Sequence, residues 1–405
     1  MDVFLKFNNY YLKTISIYYK MSIKKCFNLF NHYNKLDSTT KYLCDTVFNI
    51  THKNYNNPDT LIKFNENRYR QLYKDWGNMG LFNHKEHGID PLLYGLINYN
   101  IEKIDSSLRS GYSVQTSLVI NPIEKFGNDD TKSKFLDKLY EGEYIGCFGL
   151  TEPESGSDPS SMKTTAKEEK DYYVVNGSKI WITNAPIADV FVIWCKDETN
   201  KIIGLVTERN DDINTPRIKD KMTLLASPTG YIHLDNVKIP KSNKLNVQGL
   251  KGPFHCLNKA RYGISWGVLG AMENIIDTAM QYTDERKQFD KSLNQFQLIQ
   301  NDLINSIQLY NNSLNNSFSS LNAIKTFDDL ENNIALISYL KKVNCENALN
   351  VSRICRDVLG GNGVANSYNI IRHLINLEAV NTYEGTKNVH NLILGRDLLG
   401  KNAFT

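Results

Sequence analysis

At 405 residues the chain exceeds what a single hydrophobic core normally serves, which predicts two or three domains, and its 47 basic against 44 acidic residues leave a formal charge of only +3. No basic block interrupts the chain, so nothing calls for a nucleic-acid partner. Cys26, Cys44, Cys147, Cys195, Cys256, Cys345 and Cys355 are odd in number and contain no Cys-x-x-Cys pair, which argues against a disulfide framework and a zinc site and predicts free thiols in a reducing compartment.

In chain order, residues 1–36 form a basic leader. Its one acid is Asp2, and Lys6, Lys13, Lys20, Lys24 and Lys25 alternate with Phe4, Leu5, Tyr10 and Tyr11. This resembles an organelle import segment, here for the mitochondrial matrix, although transit peptides favour arginine and this one has none; a disordered leader or a divergent first helix stays open. Residues 37–145 show helical spacing, with Tyr42, Val47 and Phe48 on one face and Leu92, Leu96, Ile97, Ile101 and Ile104 on another. His84 and His87 lack the His-Glu-x-x-His order of a metalloprotease and read as surface residues, and no metal is predicted.

The pattern changes over residues 146–247. Tyr172 to Val175, Lys179 to Thr183, Val190 to Trp194 and Tyr231 to Leu234 are short, β-rich runs separated by turn signals, which predicts a small all-β domain. Residues 248–405 return to helical spacing, with helices expected over 261–285, 294–322, 328–358, 370–380 and 388–399, packed as an antiparallel bundle. No run of 18 apolar residues occurs, so no membrane span is predicted.

Three segments carry chemistry. Gly149 to Asp158 lacks a Gly-Lys-Ser/Thr ending and is no P-loop, yet its backbone NH groups and hydroxyls suit a flat heterocycle or a phosphate. Gly360-Gly361-Asn362-Gly363 follows a helix rather than a strand, which fits a helix C-cap better than a dinucleotide fingerprint. Glu384, in Tyr383-Glu384-Gly385-Thr386, sits in an apolar turn before a helix. It reads either as a desolvated general base or as an acid capping that helix.

Cys147 to Met162 reads Cys-Phe-Gly-Leu-Thr-Glu-Pro-Glu-Ser-Gly-Ser-Asp-Pro-Ser-Ser-Met and resembles the signature of the acyl-CoA dehydrogenase family. Trp181-Ile182-Thr183-Asn184, Arg261-Tyr262-Gly263-Ile264, Arg286-Lys287-Gln288-Phe289, Asp357 to Gly363 and Tyr383 to Arg396 follow in the family's order, over about residues 100 to 405. Arg109-Ser110, Ser113-Val114-Gln115, Leu377 to Thr386 and Ala403-Phe404 most resemble the glutaryl-CoA dehydrogenases within it.

The resemblance implies a mainly α protein with a central β-barrel between an N-terminal helical domain and a C-terminal four-helix bundle, assembled as a homotetramer. It implies FAD between barrel and bundle, with ring contacts from Phe148, Gly149, Leu150, Thr151, Ser157, Trp181, Ile182 and Thr183. Arg286, Phe289, Gln297 and Asp357, Val358, Leu359, Gly360 and Gly361 match positions holding the pyrophosphate and adenosine part from a neighbouring subunit, and Thr386 and Phe404 match further flavin contacts. Glu384 matches the base, its own NH and a ribityl hydroxyl binding the thioester oxygen. Isovaleryl and long-chain relatives place the base where this chain has Ala260. Ser157, Phe254, Arg261 and Gly385 match the acyl-CoA pocket.

Arg109 matches the arginine that pairs with a distal carboxylate, its planar fork able to meet both oxygens, with Ser110, Ser113 and Glu102 beside it. Together these imply oxidation of glutaryl-CoA with loss of CO2 and electron delivery to an electron-transfer flavoprotein; a short-chain or non-decarboxylating enzyme, or an inactive FAD- and CoA-binding subunit, are the alternatives. Three departures stand out: the 80–94 link is short, Asn100 replaces an acid, and Asp290 stands where the family has glycine.

Overall fold

The structure, a computed structural model, describes residues 29–404, so the leader reading falls outside the described residues as far as residue 28. The first helices are α1 (Ser38–Asn54), α2 (Glu66–Asn78), α3 (Pro91–Glu102) and α4 (Ser106–Ser113). A π-helical segment, Val114–Ile120, runs on from α4 into α5 (Asn121–Phe126), and α6 (Asp129–Tyr140) follows. Short polar side chains start most of them: Asp37, Asn65, Asp90, Asp105 and Asn128 each accept a backbone NH from the first turn. The π-helical segment was not foreseen, because one extra residue in a turn leaves no mark on apolar spacing.

Eight strands form one sheet: β1 (Gly146–Gly149), β2 (Thr165–Glu168), β3 (Tyr172–Thr183), β4 (Val190–Asp197), β5 (Ile202–Glu208), β6 (Ile213–Asn214), β7 (Thr229–Pro240) and β8 (Lys244–Gln248). The pairing path is β6-β7-β3-β2-β4-β5-β8, with β1 beside β4. Among the described residues its end strands do not pair with each other, so the expected barrel is seen as an open sheet. An extra residue on β3 between Lys179 and Ile182, opposite Ile232 and Gly230 of β7, makes a β-bulge at Ile180-Trp181.

The C-terminal part holds α7 (Lys251–Glu285), α8 (Gln297–Ser320), α9 (Ile334–Val358), α10 (Ile370–Thr382) and α11 (Lys387–Leu399). Helix α7 begins ten residues before the expected 261, because Pro253 is tolerated in a first turn that needs no NH donor. The stretch expected as one helix from 328 splits into a 3-10 turn, Phe327–Glu331, and α9. Between α7 and α8 a two-stranded hairpin, β9 (Lys287–Gln288) and β10 (Lys291–Ser292), turns through Phe289 and Asp290, both at positive φ. Asp290 therefore adopts the left-handed backbone that a glycine would supply.

Helix α7 packs chiefly against α3 and α9, so N- and C-terminal helices share one core, while the sheet buries its own cluster around Phe191, Ile193 and Val237. Among the described residues, no helix is long and apolar enough to cross a membrane, and no group of three His, Cys, Asp or Glu side chains could hold a metal ion. The histidine expectation needs correcting: His84 is buried, hydrogen-bonded to Tyr112 and stacked on Phe327, and His373 and His390 are also buried. An imidazole, half apolar ring and half polar edge, fills a core more readily than sequence position reveals.

Candidate functional site

Two walls define the site. On the sheet side, the bulge gives Trp181 a φ of 61° and leaves its indole 57% exposed, an uncommon pose for a bulky residue. The segment from Gly149 to Asp158 is tied to the same strand: Ile180 NH donates to Thr151 O at 3.0 Å, and buried Lys179 donates to Leu150 O at 3.1 Å and to Glu152 Oε1 at 2.8 Å. Phe148, Gly149, Leu150 and Ile182 are buried, Thr151 and Thr183 half-buried and Ser157 exposed. An exposed indole on a rigid strand, with hydroxyls beside it, is a surface on which a flat heterocycle can stack, so these residues fit FAD.

On the helical side stands a buried ion pair. Arg109 on α4 donates Nε to Glu102 Oε2 at 2.7 Å, and Glu102 also accepts from Ser106 Oγ at 2.7 Å. Arg109 further donates Nη2 to the Tyr383 hydroxyl, which leaves Nη1 buried and without a partner among the described residues. One helical turn on, Ser113 Oγ is likewise buried and unpartnered, and Ser110 is buried on the same helix. Burial alone would lower the guanidinium pKa, but the carboxylate of Glu102, with Tyr383 and Glu384, outweighs it and holds Arg109 above its usual value. Asp105 caps α4 and accepts from Arg372 Nε at 2.8 Å and from Asn376 on α10, so the helix carrying Arg109 and the helix leading to Glu384 are pinned together.

Gly267 on α7 makes room for this pair: a Cβ there would lie 2.1 Å from Glu102 Oε2 and 3.2 Å from Arg109 Nε. Gly267→Ala is therefore expected to destabilise the fold by about 1–3 kcal/mol, read from denaturant unfolding, since the pair must shift inside a closed core. Unchanged stability would show that the ion pair has slack.

Glu384 lies in the turn between α10 and α11 with φ 56°, followed by Gly385 at φ 102°. A Cβ on Gly385 would meet the ring of His390 at 3.0 Å, and its φ independently demands glycine. The capping alternative fails, because Thr386 caps α11 by accepting Val389 NH, which leaves the Glu384 carboxylate free of that task. Glu384 is half-buried as a residue, but its Oε2 is sealed from solvent without a hydrogen-bond donor. Desolvation pushes the carboxyl above its ordinary range, and the charges of Arg109, Arg261 and Lys341 pull it back only in part. Ala260, the alternative base position, is buried in α7. Arg261 donates Nε to Glu384 O at 2.8 Å.

The structure thus gathers Glu102, Arg109, Arg261, Glu384 and Gly385 into one cluster, with Ser113 one helical turn beyond Arg109. Ser157 and Phe254 lie more exposed, Phe254 in the first turn of α7. Thr386 is half-buried, and Phe404, beyond α11, lies under Arg396. Arg286, Phe289, Gln297, Asp357, Gly360 and Gly361 are exposed, Val358 and Leu359 buried, and none makes a hydrogen bond to the Glu384 cluster. Arg286 and Asn362 line a separate groove of about 670 Å³ with Tyr282 and Asp277, apart from Glu384. Sequence reasoning missed Lys341, Gly267, Asp105 and the hydroxyl of Tyr383. A lysine in the apolar stripe Ile337, Lys341, Cys345, Ala348 was a readable signal; the others show only when distant helices meet.

Comparison with known proteins follows the same lines. The acyl-CoA dehydrogenase N-terminal, middle and C-terminal domains match residues 41–143, 147–237 and 248–399. The chain is 31% identical over 319 residues to 3-(aryl)acrylate reductase of Clostridium sporogenes (strain ATCC 15579), covering 77% of this chain and 84% of that one. It is 30% identical over 353 residues to glutaryl-CoA dehydrogenase of Desulfococcus multivorans, covering 83% and 90%. Crystal structures of glutaryl-CoA dehydrogenase from Mycobacterium smegmatis, one in complex with FADH2, superimpose with TM-scores of 0.87 and 0.86 at 34% and 33% identity, over 94% of this chain and 99% of theirs.

Proposed function

The chain belongs to the acyl-CoA dehydrogenase family of FAD-dependent oxidoreductases, and from that premise we propose that it oxidises glutaryl-CoA at Cα–Cβ and releases CO2 to give crotonyl-CoA. The observation that carries this reading is the pairing, in one cluster, of an unpartnered buried acceptor, Glu384 Oε2, with an unpartnered buried donor, Arg109 Nη1. A buried cation with a spare NH is costly unless an anion completes it. A substrate's distal carboxylate supplies that anion, and a monocarboxylic acyl-CoA does not. Because Nε and Nη2 are already engaged by Glu102 and Tyr383, the contact is made by Nη1, with Ser113 Oγ one turn away, rather than by the whole fork.

Glu384 takes the α-proton. Its raised pKa makes the carboxylate a stronger base, and the neighbouring cations favour its ionised form. Its backbone NH donates to the thioester oxygen, stabilising the charge that develops there. FAD, held against Trp181 and the loop from Gly149 to Asp158, would supply the acceptor for the β-hydride. Once the α–β double bond exists, the γ-carboxylate is vinylogous to the thioester: its C–C bond breaks, CO2 leaves, and a proton returns to the γ carbon. Arg109 orients that carboxylate throughout.

By the same reading, Arg286, Phe289, Gln297 and the 357–361 segment hold the distal half of a neighbouring subunit's FAD in a homotetramer. An electron-transfer flavoprotein takes the electrons, and the basic leader directs the chain to the mitochondrial matrix. The test is mass analysis of the product formed from glutaryl-CoA with an artificial electron acceptor. Crotonyl-CoA with CO2 is expected. Accumulation of glutaconyl-CoA would mean oxidation without decarboxylation, and turnover of butyryl-CoA alone would make the protein a short-chain enzyme.

A further inference from the structure

Lys341 enters the reading above only as one of three charges near Glu384, yet it is buried in α9 and directs its ammonium at the catalytic turn. Nζ donates to Asn381 O at 3.1 Å, Tyr383 O at 3.1 Å and Gly385 O at 2.8 Å, three acceptors for the three protons of an ammonium. No carboxylate is among its partners. We propose that Lys341 is a positioning residue for the dehydrogenation, holding the Tyr383 and Gly385 carbonyls so that the Glu384 NH faces the substrate's thioester oxygen.

Peptide geometry fixes which way these groups face. In a trans peptide the C=O and the following NH point in opposite directions. Tyr383 O directed to Lys341 therefore sends the Glu384 NH away from α9, and Glu384 O, held by Arg261 Nε at 2.8 Å, sends the Gly385 NH away from α7. Both peptide planes flanking Glu384 are thus pinned from the bundle by cations. Glu384 and Gly385 hold positive φ values of 56° and 102°, a conformation that a non-glycine residue keeps only when its surroundings enforce it. A cation on the carbonyl also polarises the amide, which makes its NH a stronger donor.

A plain structural tie would need one bond to the loop. Three bonds to alternate carbonyls around the base, from a lysine with no acid partner, specify orientation. The proposal rests on Glu384 serving as the base. The charged and titratable groups facing Glu384 are Arg109 from α4, Arg261 from α7, Lys341 from α9 and Tyr383 on its own turn, with His390 of α11 behind Gly385 and Glu102 of α3 acting through Arg109. Removing the Lys341 charge takes away one of the three cations that lower the Glu384 pKa, so the acidic limb of the kcat profile moves to higher pH.

The experiment compares FAD-loaded wild type with Lys341→Met, per bound flavin. Expected are a fall in kcat of about 100-fold with little change in KM, and an upward shift of the acidic limb. Affinity for an enolisable 3-oxoacyl-CoA should fall by a similar factor of about 100, with loss of the long-wavelength absorbance that its enolate gives beside oxidised flavin. A merely structural lysine would lower the yield of FAD-loaded protein but leave kcat per flavin, the pH limb and the enolate band where they are, and that result overturns the proposal. If the methionine variant does not fold, Lys341→Gln, whose amide can still satisfy some of the carbonyls, is expected to be intermediate in kcat and in the enolate band and to show the full upward shift of the pH limb, since it too lacks the charge; wild-type behaviour in it would equally overturn the proposal. Wild type without activity on any acyl-CoA would instead sink the assignment of Glu384 on which the proposal stands.

Discussion

Glu384→Gln is expected to retain FAD and to lower kcat for acyl-CoA oxidation by about 1,000-fold, because it deletes the carboxylate proposed to take the α-proton while keeping its shape. The cluster offers no second acid in that position: Ala260 occupies the alternative site, and Glu102 is engaged by Arg109 and Ser106. Substantial turnover by the glutamine variant, with stoichiometric FAD, would place the base elsewhere. In wild type, kcat should rise with pH through the raised pKa of Glu384, since only the ionised form accepts a proton.

Stability moves the opposite way. A carboxyl whose folded pKa lies above its unfolded value contributes stability that is fully present below the ordinary value of 4.5 and is lost as pH rises through the folded value. Above the folded value the ionised Glu384 is thus a cost that glutamine removes. The inactive variant should therefore melt no lower than wild type above that window, in a scan at matched pH and FAD content. A markedly lower melting point would mean that the carboxylate makes a stabilising contact beyond its three neighbouring cations.

Arg109→Met should reduce kcat/KM for glutaryl-CoA by about 100-fold or more, the usual loss when one partner of a buried charge pair is truncated, and reduce butyryl-CoA use far less. Side-by-side kinetics on the two substrates decide it. Equal losses would remove the carboxylate-anchor role and leave Arg109 as a packing residue. The substitution also strands Glu102 in the core, so a stability loss of about 3–5 kcal/mol is expected, partly recovered in the double variant with Glu102→Gln. Because that loss strikes both substrates alike, the ratio of their kcat/KM values carries the test rather than either value alone.

Much of this protein was legible before folding was considered. Apolar spacing located the helices on both sides of a β-rich middle, since period and turn chemistry are local properties. The Tyr383 to Thr386 and Arg109 to Gln115 segments, whose side chains are contiguous or one helical turn apart, carry the family resemblance from which the proposed base and carboxylate anchor were drawn. The early start of α7 and the π-helical run after Arg109 were hidden, because backbone hydrogen bonding there departs from what spacing encodes.

What the sequence determined by itself is the chemistry available: an acid in an apolar turn, an arginine seven residues beyond a glutamate, and an aromatic strand beside a donor-rich loop. Only the tertiary structure decided how those groups are used. It turned Trp181 outward at a bulge, gave the capping task to Thr386 rather than Glu384, left Nη1 of Arg109 unpaired, and brought Lys341 and Arg261 from two helices onto the carbonyls of one turn. Burial, not residue type, sets the pKa of Glu384 and the cost of the spare donor on Arg109. Burial is a property of the packed whole.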